Sequence, residues 1–99
     1  MTISSIQKYA TEINGKGNKD IFLFTLSTCV WCSRAKEFLQ KLGLKYYYIN
    51  VDETDGKQQE EVVAELDKFN SSHSFPTIVI DNKKTIHGYD EGELRKLLK

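Results

Sequence analysis

The chain has 99 residues, of which 39% are hydrophobic and 28% are charged, as in ordinary globular domains. Lys and Arg number 14 and Asp and Glu also number 14, so the basic excess typical of nucleic-acid-binding proteins is missing. No apolar run approaches the roughly 18 residues that cross a bilayer, and the N-terminus does not resemble a signal peptide. We therefore expect one monomeric domain over residues 1–99 in the cytoplasm, with no nucleic-acid or membrane partner.

Two elements are predicted before residue 26. Ile6, Ala10 and Ile13 recur at helical spacing, which predicts a helix over residues 4–13 that is ended by the following glycines. The run IFLFT at residues 21–25 is continuously apolar. Such a run is typical of a strand that is buried on both faces of a sheet.

A helix and a second strand follow. Helical periodicity runs from residue 33 to residue 42, and Gly43 stands where a C-terminal cap is expected. The segment YYYINV at residues 46–51 is rich in residues that favour strands. A strand, a helix and a second strand in this order predict a parallel pair with a right-handed crossover.

The last third of the chain predicts a helix, a hairpin and a final helix. Asp55 begins the first helix, residues 77–81 and 85–87 form the hairpin, and Asp90 begins the last helix. We therefore expect an α/β fold: a four-stranded mixed sheet with helices on both faces, plus the N-terminal helix.

The stretch CVWC contains the chain's two cysteines, Cys29 and Cys32. It allows a structural disulfide, half of a metal site, or a redox-active pair. In the chain-entropy model, a cross-link that closes about four residues stabilises by only ~1.9 kcal/mol, against ~3 for fifteen. Structural disulfides are also rare in the cytosol, so the structural disulfide is the weakest of the three.

The position of the cysteines favours the redox-active pair. The other predicted helices begin with a polar residue followed by Glu or Gln three positions later, namely Ser4/Gln7, Asp55/Gln58 and Asp90/Glu93. In the helix after the first buried strand, Cys29 and Cys32 occupy these places. We infer that the Cys29 sulfur accepts from the Cys32 N–H, and the unpaired amides of a helix start stabilise a thiolate there. Cys29 is then the attacking thiol and Cys32 the resolving thiol.

Three segments together resemble the glutaredoxin-like members of the thioredoxin fold. They are TCVWCSRAKEFL at residues 28–39, SFPTIVID at 74–81 and GYDEGEL at 88–94. The resemblance covers residues 20–99, and the predicted N-terminal helix is an addition to it. It implies that Pro76 is cis and that Phe75 offers backbone groups to a substrate. By the same resemblance Asp90 contacts substrate, although helix capping alone explains it. We also expect Trp31 and Tyr89 to contact substrate, and the alternative for Trp31 is an aromatic side chain that only fills a surface groove.

The resemblance implies an oxidoreductase that reduces protein disulfides through a CxxC dithiol. Glutathione-using members often carry Lys or Arg where this chain has Leu26, and often a second glycine where it has Tyr89. The chain is thus more similar to redoxins that donate electrons to ribonucleotide reductase and are fed by a reductase. We expect no bound cofactor.

Two alternatives stay open. The first is a glutathione-dependent glutaredoxin with glutathione as co-substrate. The second is a zinc or iron–sulfur module in which two chains share a metal, although His73 and His87 do not follow zinc-finger spacing. We expect no metal ligands within the chain.

Overall fold

The computed structural model describes residues 6–17, 19–72 and 74–98. Its strands are β1 (Thr11–Ile13), β2 (Ile21–Thr25), β3 (Tyr46–Asn50), β4 (Thr77–Ile80) and β5 (Lys84–His87). Its helices are α1 (Val30–Lys41), α2 (Gly56–Phe69) and α3 (Glu91–Leu98), with short 3-10 turns at Gln7–Tyr9 and Val51–Glu53. Across these described ranges, no helix combines the length and apolarity needed to cross a membrane.

The five strands form one mixed sheet in the order β1-β3-β2-β4-β5. Strands β2 and β3 are parallel and are connected through α1, whereas β4 pairs antiparallel with both β2 and β5. This confirms the predicted thioredoxin-like architecture. The carboxyl end of β2 lies beside the start of β4, so the segments that flank these ends meet at one end of the sheet.

Alternate residues of β2 face two apolar clusters on opposite sides of the sheet. Ile21 and Leu23 pack in a cluster with residues of α1 and α3, whereas Phe22 and Phe24 pack in a cluster with residues of α2. All five residues of β2 are buried, as predicted from the continuous apolar run. The helices therefore hold β2 rigidly from both sides.

The predicted N-terminal helix is wrong for the described residues from 6 onward. This part of the chain forms a 3-10 turn and then β1, which pairs antiparallel with β3 and adds a fifth strand to the predicted four. Ile6 is fully buried in the α2-side cluster, so tertiary packing and the open edge of β3 outweigh the helical spacing. The predicted cap at Ser4 lies outside the described residues.

The predicted helix ends have mixed outcomes. Gly43 adopts a φ of 70°, and the N–H groups of Gly43 and Leu44 donate to carbonyls in the last turn of α1, which is a Schellman motif. The predicted capping box at Asp55 is wrong, because its side chain makes no capping hydrogen bond. Instead Gln59 donates from Nε2 to the Thr54 carbonyl at 3.1 Å.

Candidate active site

Cys29 lies at the junction between β2 and α1. It is the N-cap of α1, and its Sγ accepts a hydrogen bond from the Cys32 backbone N–H at 3.2 Å. Its own carbonyl accepts the first helical hydrogen bond, from Ser33. The inferred sulfur cap is therefore present, and the Cys29 sulfur lies against the positive end of the helix dipole.

The two thiols differ in exposure. Cys29 is partly exposed, whereas Cys32 is 1% exposed. Desolvation raises the pKa of the Cys32 thiol to about 12, helped by its interaction with Cys29 and opposed by the Leu26 backbone and Lys36. Cys32 therefore keeps its proton at neutral pH and is unsuited to act as the first nucleophile.

Alkylation should distinguish the two thiols. In the folded, reduced protein near pH 8, iodoacetamide should modify Cys29 and leave Cys32 almost untouched, because only a thiolate that the reagent can reach reacts quickly. Mass spectrometry should show one modification per chain, and a second only after unfolding in denaturant. Equal modification of both cysteines in the folded protein would contradict the assignment.

A carboxylate from the next loop holds the segment before Cys29. Asp52, in the turn after β3, accepts from the Ser27 N–H at 2.9 Å and from the Ser27 hydroxyl at 2.5 Å. The Ser27 hydroxyl, and then its N–H, lower the pKa of the Asp52 carboxyl. The Cys29 N–H donates to the Leu26 carbonyl at 3.3 Å, so Asp52 helps to fix the loop that carries Cys29.

This contact should give stability a dependence on acid pH. Because the Asp52 pKa is lowered in the folded state, its contribution is present above the ordinary carboxyl pKa and is lost as pH falls through the folded value. Asp52→Asn should have a lower free energy of unfolding than wild type at neutral pH, and this difference should shrink below about pH 4. Urea unfolding of both proteins between neutral and acid pH measures the difference. Glu60→Gln, at an exposed position on α2, is the control and should show no such difference.

The loop before β4 contributes a second wall. The Phe75–Pro76 peptide bond is cis, as expected; Pro76 is buried and Phe75 is partly exposed. Asn70, 3% exposed, donates from Nδ2 to the Ser74 hydroxyl and to the Thr77 hydroxyl, each at 2.9 Å. Asn70 thus holds both ends of the cis-proline turn. His73 lies outside the described residues.

The turn before α3 closes the site. The Gly88 N–H donates to the Pro76 carbonyl at 2.7 Å, and the Tyr89 ring stacks on Trp31 with centroids 6.2 Å apart. The Asp90 carboxylate accepts from the Glu93 N–H at 3.1 Å, which confirms the predicted N-cap. One chain of contacts thus joins Pro76, the 88–90 turn and Trp31 between the cysteines.

The Leu26 position offers no cation. Its side chain is partly buried and packs against the apolar cluster on the α2 side of the sheet. Among residues 6–17, 19–72 and 74–98, no group of three or more His, Cys, Asp or Glu side chains is placed to hold a metal ion. A metal bound at the two cysteines would need ligands from elsewhere.

Several side chains that shape this site were not predicted from the sequence. Asp52 and Asn70 act through loops that are distant in sequence from the residues they hold. Arg34 lies over the Trp31 ring at 5.2 Å, and the i, i+3 spacing on α1 was the available signal for this pair. The remaining contacts around Tyr89 depend on how α1 packs against α3.

Comparisons with known proteins agree with this geometry. The glutaredoxin family model matches residues 21–85. The chain is 30% identical over 78 residues to a glutaredoxin-like 8.6 kDa protein in a rubredoxin operon of Clostridium pasteurianum, covering 79% of this chain and 96% of that protein.

Two solved structures have a similar fold. A glutaredoxin from Methanosarcina mazei Go1 is 40% identical, with a TM-score of 0.79 and coverage of 90% of this chain and 86% of that one. A methanoredoxin from Methanosarcina acetivorans is 34% identical, with a TM-score of 0.80 and coverage of 85% and 88%. The family model spans more than half of the chain, and with a redox-type CxxC pair at the start of α1 the protein belongs to the glutaredoxin family.

Proposed function

We propose that the protein reduces disulfides in other proteins through a dithiol/disulfide cycle at Cys29 and Cys32. The observation that carries this proposal is the asymmetry of the pair. Cys29 is partly exposed and caps the helix with its sulfur, whereas Cys32 is buried and has its pKa raised to about 12. The Cys29 sulfur is accessible for attack on a substrate, and the protonated Cys32 thiol lies one helical turn away, where it can attack the mixed disulfide.

The cycle has two exchange steps. The Cys29 thiolate attacks one sulfur of the substrate disulfide, a Cys29–substrate disulfide forms, and the other substrate sulfur leaves as a thiolate that takes a proton from water. Cys32 then loses its proton to water and attacks the Cys29 sulfur. The Cys29–Cys32 disulfide forms, and the second substrate sulfur leaves as a thiolate that takes up a proton from water. Two electrons have passed from the protein to the substrate.

The environment of Cys32 gives these steps an order. Two of the causes that raise its pKa, the side-chain hydrogen bond and the charge interaction, come from Cys29. Once the Cys29 sulfur is bound in a mixed disulfide it carries no negative charge, so the charge interaction disappears while that of Lys36 continues to lower the pKa. Cys32 thus becomes easier to deprotonate when its attack is required.

We assign substrate contacts to the walls around Cys29. The backbone of Phe75 beside cis Pro76 would pair with an extended substrate segment as an added strand does. Trp31 is 55% exposed, so part of its ring is open to a substrate beside its contacts with Tyr89 and Arg34. Tyr89, which stacks on Trp31, and the exposed Asp90 are assigned the remaining substrate contacts.

The electron source is proposed to be a protein reductase rather than glutathione. Leu26 packs on the apolar cluster of the α2 side, where a cation would be needed for a glutathione carboxylate. Tyr89 also stands where glutathione-using members often have a second glycine. Ribonucleotide reductase is the candidate electron acceptor, in the reducing environment of the cytoplasm.

A survey of reductants tests the proposal. Reduction of insulin disulfides should be measured with glutathione plus its reductase, with a thioredoxin reductase and with a ferredoxin-linked reductase. Wild type should turn over with at least one protein reductase and slowly with glutathione. Trp31 fluorescence should change as the neighbouring disulfide forms. Turnover with glutathione and its reductase, but with neither of the two protein reductases, would overturn the proposed electron source. No turnover with any reductant, including a small dithiol, would overturn the proposed function.

A further inference from the structure

A groove between α1 and the start of α3 runs away from the cysteines. It has a volume of about 250 Å³ and is lined by Arg34, Glu37, Phe38, Lys41, Tyr89 and Glu91. We call it the α1–α3 groove. Tyr89 joins it to the site, because this ring stacks on Trp31 between the two cysteines. A chain bound at Cys29 can therefore continue into the groove.

Packed aromatic rings form the apolar part of the groove. The Tyr89 ring meets Trp31 at an interplanar angle of 22° and meets Phe38 edge-on, with centroids 6.3 Å apart. Phe38 is buried, and the Arg95 guanidinium lies over its ring at 5.2 Å. Rings held from several sides are a preorganised surface, which lowers the entropy cost of binding a peptide.

The charges in and beside the groove leave a cationic excess. Glu91 forms an ion pair with Arg95 at 3.0 Å and accepts from the Tyr89 hydroxyl at 3.2 Å, so its charge is already matched. Within the described ranges, no carboxylate lies within 4.0 Å of a cationic nitrogen of Arg34 or Lys41. The other acid in the lining, Glu37, lies between these two cations on α1, three positions after Arg34 and four before Lys41. With Glu91 paired to Arg95, the two cations exceed this remaining acid by one charge.

We propose that the α1–α3 groove binds the segment next to the disulfide of a protein substrate, and that Arg34 and Lys41 select a carboxylate on it. The inference rests on the proposed function and adds a substrate class to it. The occupant is an acidic polypeptide segment, because an extended chain can reach both cations while its Cys is bound at Cys29. Along the axis of α1, Arg34 lies about 7.5 Å and Lys41 about 18 Å beyond Cys29. At ~3.3 Å per extended residue, the acid lies roughly two to five positions from the substrate Cys.

Charge-swapped pairs of peptide and protein test the inference. Disulfide-linked peptides that differ only in carrying Glu, Gln or Lys two to five positions from the Cys, on either side, should be reduced with a small dithiol as regenerant. Wild type should prefer Glu over Lys by about three- to tenfold in kcat/KM, through KM rather than kcat. The preference should shrink at high salt.

Arg34→Glu should reverse the preference, so that Lys peptides are reduced with a higher kcat/KM than Glu peptides. Lys41→Glu should reduce the preference for Glu peptides without reversing it. Lys84→Glu is the matched control, because Lys84 is exposed and pairs with Ile80 at the end of the sheet away from the cysteines. It should leave the preference unchanged.

Three results would contradict the proposal that the groove selects an acidic segment. They are equal rates for Glu and Lys peptides on both sides of the Cys, an unchanged preference in Arg34→Glu, and the same change of preference in Lys84→Glu. Glutathione disulfide is a small substrate with carboxylates, and an equal effect of Arg34→Glu on it would also count against a peptide groove. Failure to reduce every peptide would overturn the proposed function instead.

Discussion

Serine in place of Cys32 should turn the protein into a trap for its substrates. Cys29 keeps its position and its hydrogen bond from the residue 32 N–H, because this donor is backbone. The first exchange step therefore proceeds, whereas a serine hydroxyl cannot resolve the mixed disulfide. Multiple turnover with protein disulfides should fall on the order of 100-fold, and mass spectrometry should show a covalent adduct with the substrate.

Cys29→Ser is the matched comparison. It retains one thiol, but that thiol is Cys32, which is 1% exposed and has a pKa raised to about 12. This variant should neither turn over nor form the adduct at neutral pH. Adducts in Cys29→Ser and none in Cys32→Ser would reverse the roles of the two cysteines.

Asn70→Ala should produce the largest loss of stability among polar substitutions around the site. The Asn70 amide donates to Ser74 and Thr77 and accepts from Ser72, and its side chain is almost completely buried. Removing it takes away the bond to the buried Thr77 hydroxyl, which keeps only its bond to the Ser74 carbonyl, and the bonds to exposed Ser72 and Ser74. We expect a cost of about 1–3 kcal/mol in the free energy of unfolding. The turn at cis Pro76 should loosen as well, so kcat/KM for protein disulfides should fall.

Urea unfolding and steady-state reduction measure the two effects separately. Asn70→Asp keeps the acceptor for Ser72 and a side chain of the same size, but it loses both donors. Its kcat/KM should therefore fall as far as that of Asn70→Ala, although it leaves no cavity. Asn14→Ala, at an exposed position in the loop after β1, should change stability by less than ~0.5 kcal/mol. An Asn70→Ala variant as stable as the Asn14 control would show that the hydrogen bonds at the turn contribute little.

The layers of the fold could be predicted because their signals are local. The continuous apolar run that became β2 predicts a strand buried on both faces, as the structure shows. The strand predicted at residues 77–81 is present as β4, and all four of its residues are buried. The crossover between β2 and β3 follows from chain order. Cys29 as a cap was predictable for the same reason, since donor and acceptor lie three residues apart.

The N-terminal error has a different physical origin. Ile6, Ala10 and Ile13 fit a helical period, and over so short a window this spacing does not exclude a strand. The structure of this segment is determined by a contact that is distant in sequence. Residues 11–13 of β1 pair with residues 46–48 at the otherwise open edge of β3. β-Branched Thr11 and Ile13 were the local signal for β1, but they become decisive only when the partner strand is known.

The walls of the site depend on contacts that sequence spacing does not encode. Trp31 and Tyr89 are 58 positions apart and stack because α1 and α3 pack on the same face of the sheet. The bond from Gly88 to the Pro76 carbonyl likewise depends on how β4 and β5 pair. The motifs could therefore be named in advance, whereas the connections between them required the fold.

A single-turnover experiment tests the central claim most directly. The fully reduced protein is mixed with excess disulfide-bonded protein substrate and no other reductant, and the products are analysed by mass spectrometry after acid quenching. The account predicts one equivalent of substrate disulfide reduced per chain, with the protein recovered as the Cys29–Cys32 disulfide, two hydrogens lighter. A protein recovered with both thiols intact and the substrate unreduced would contradict it.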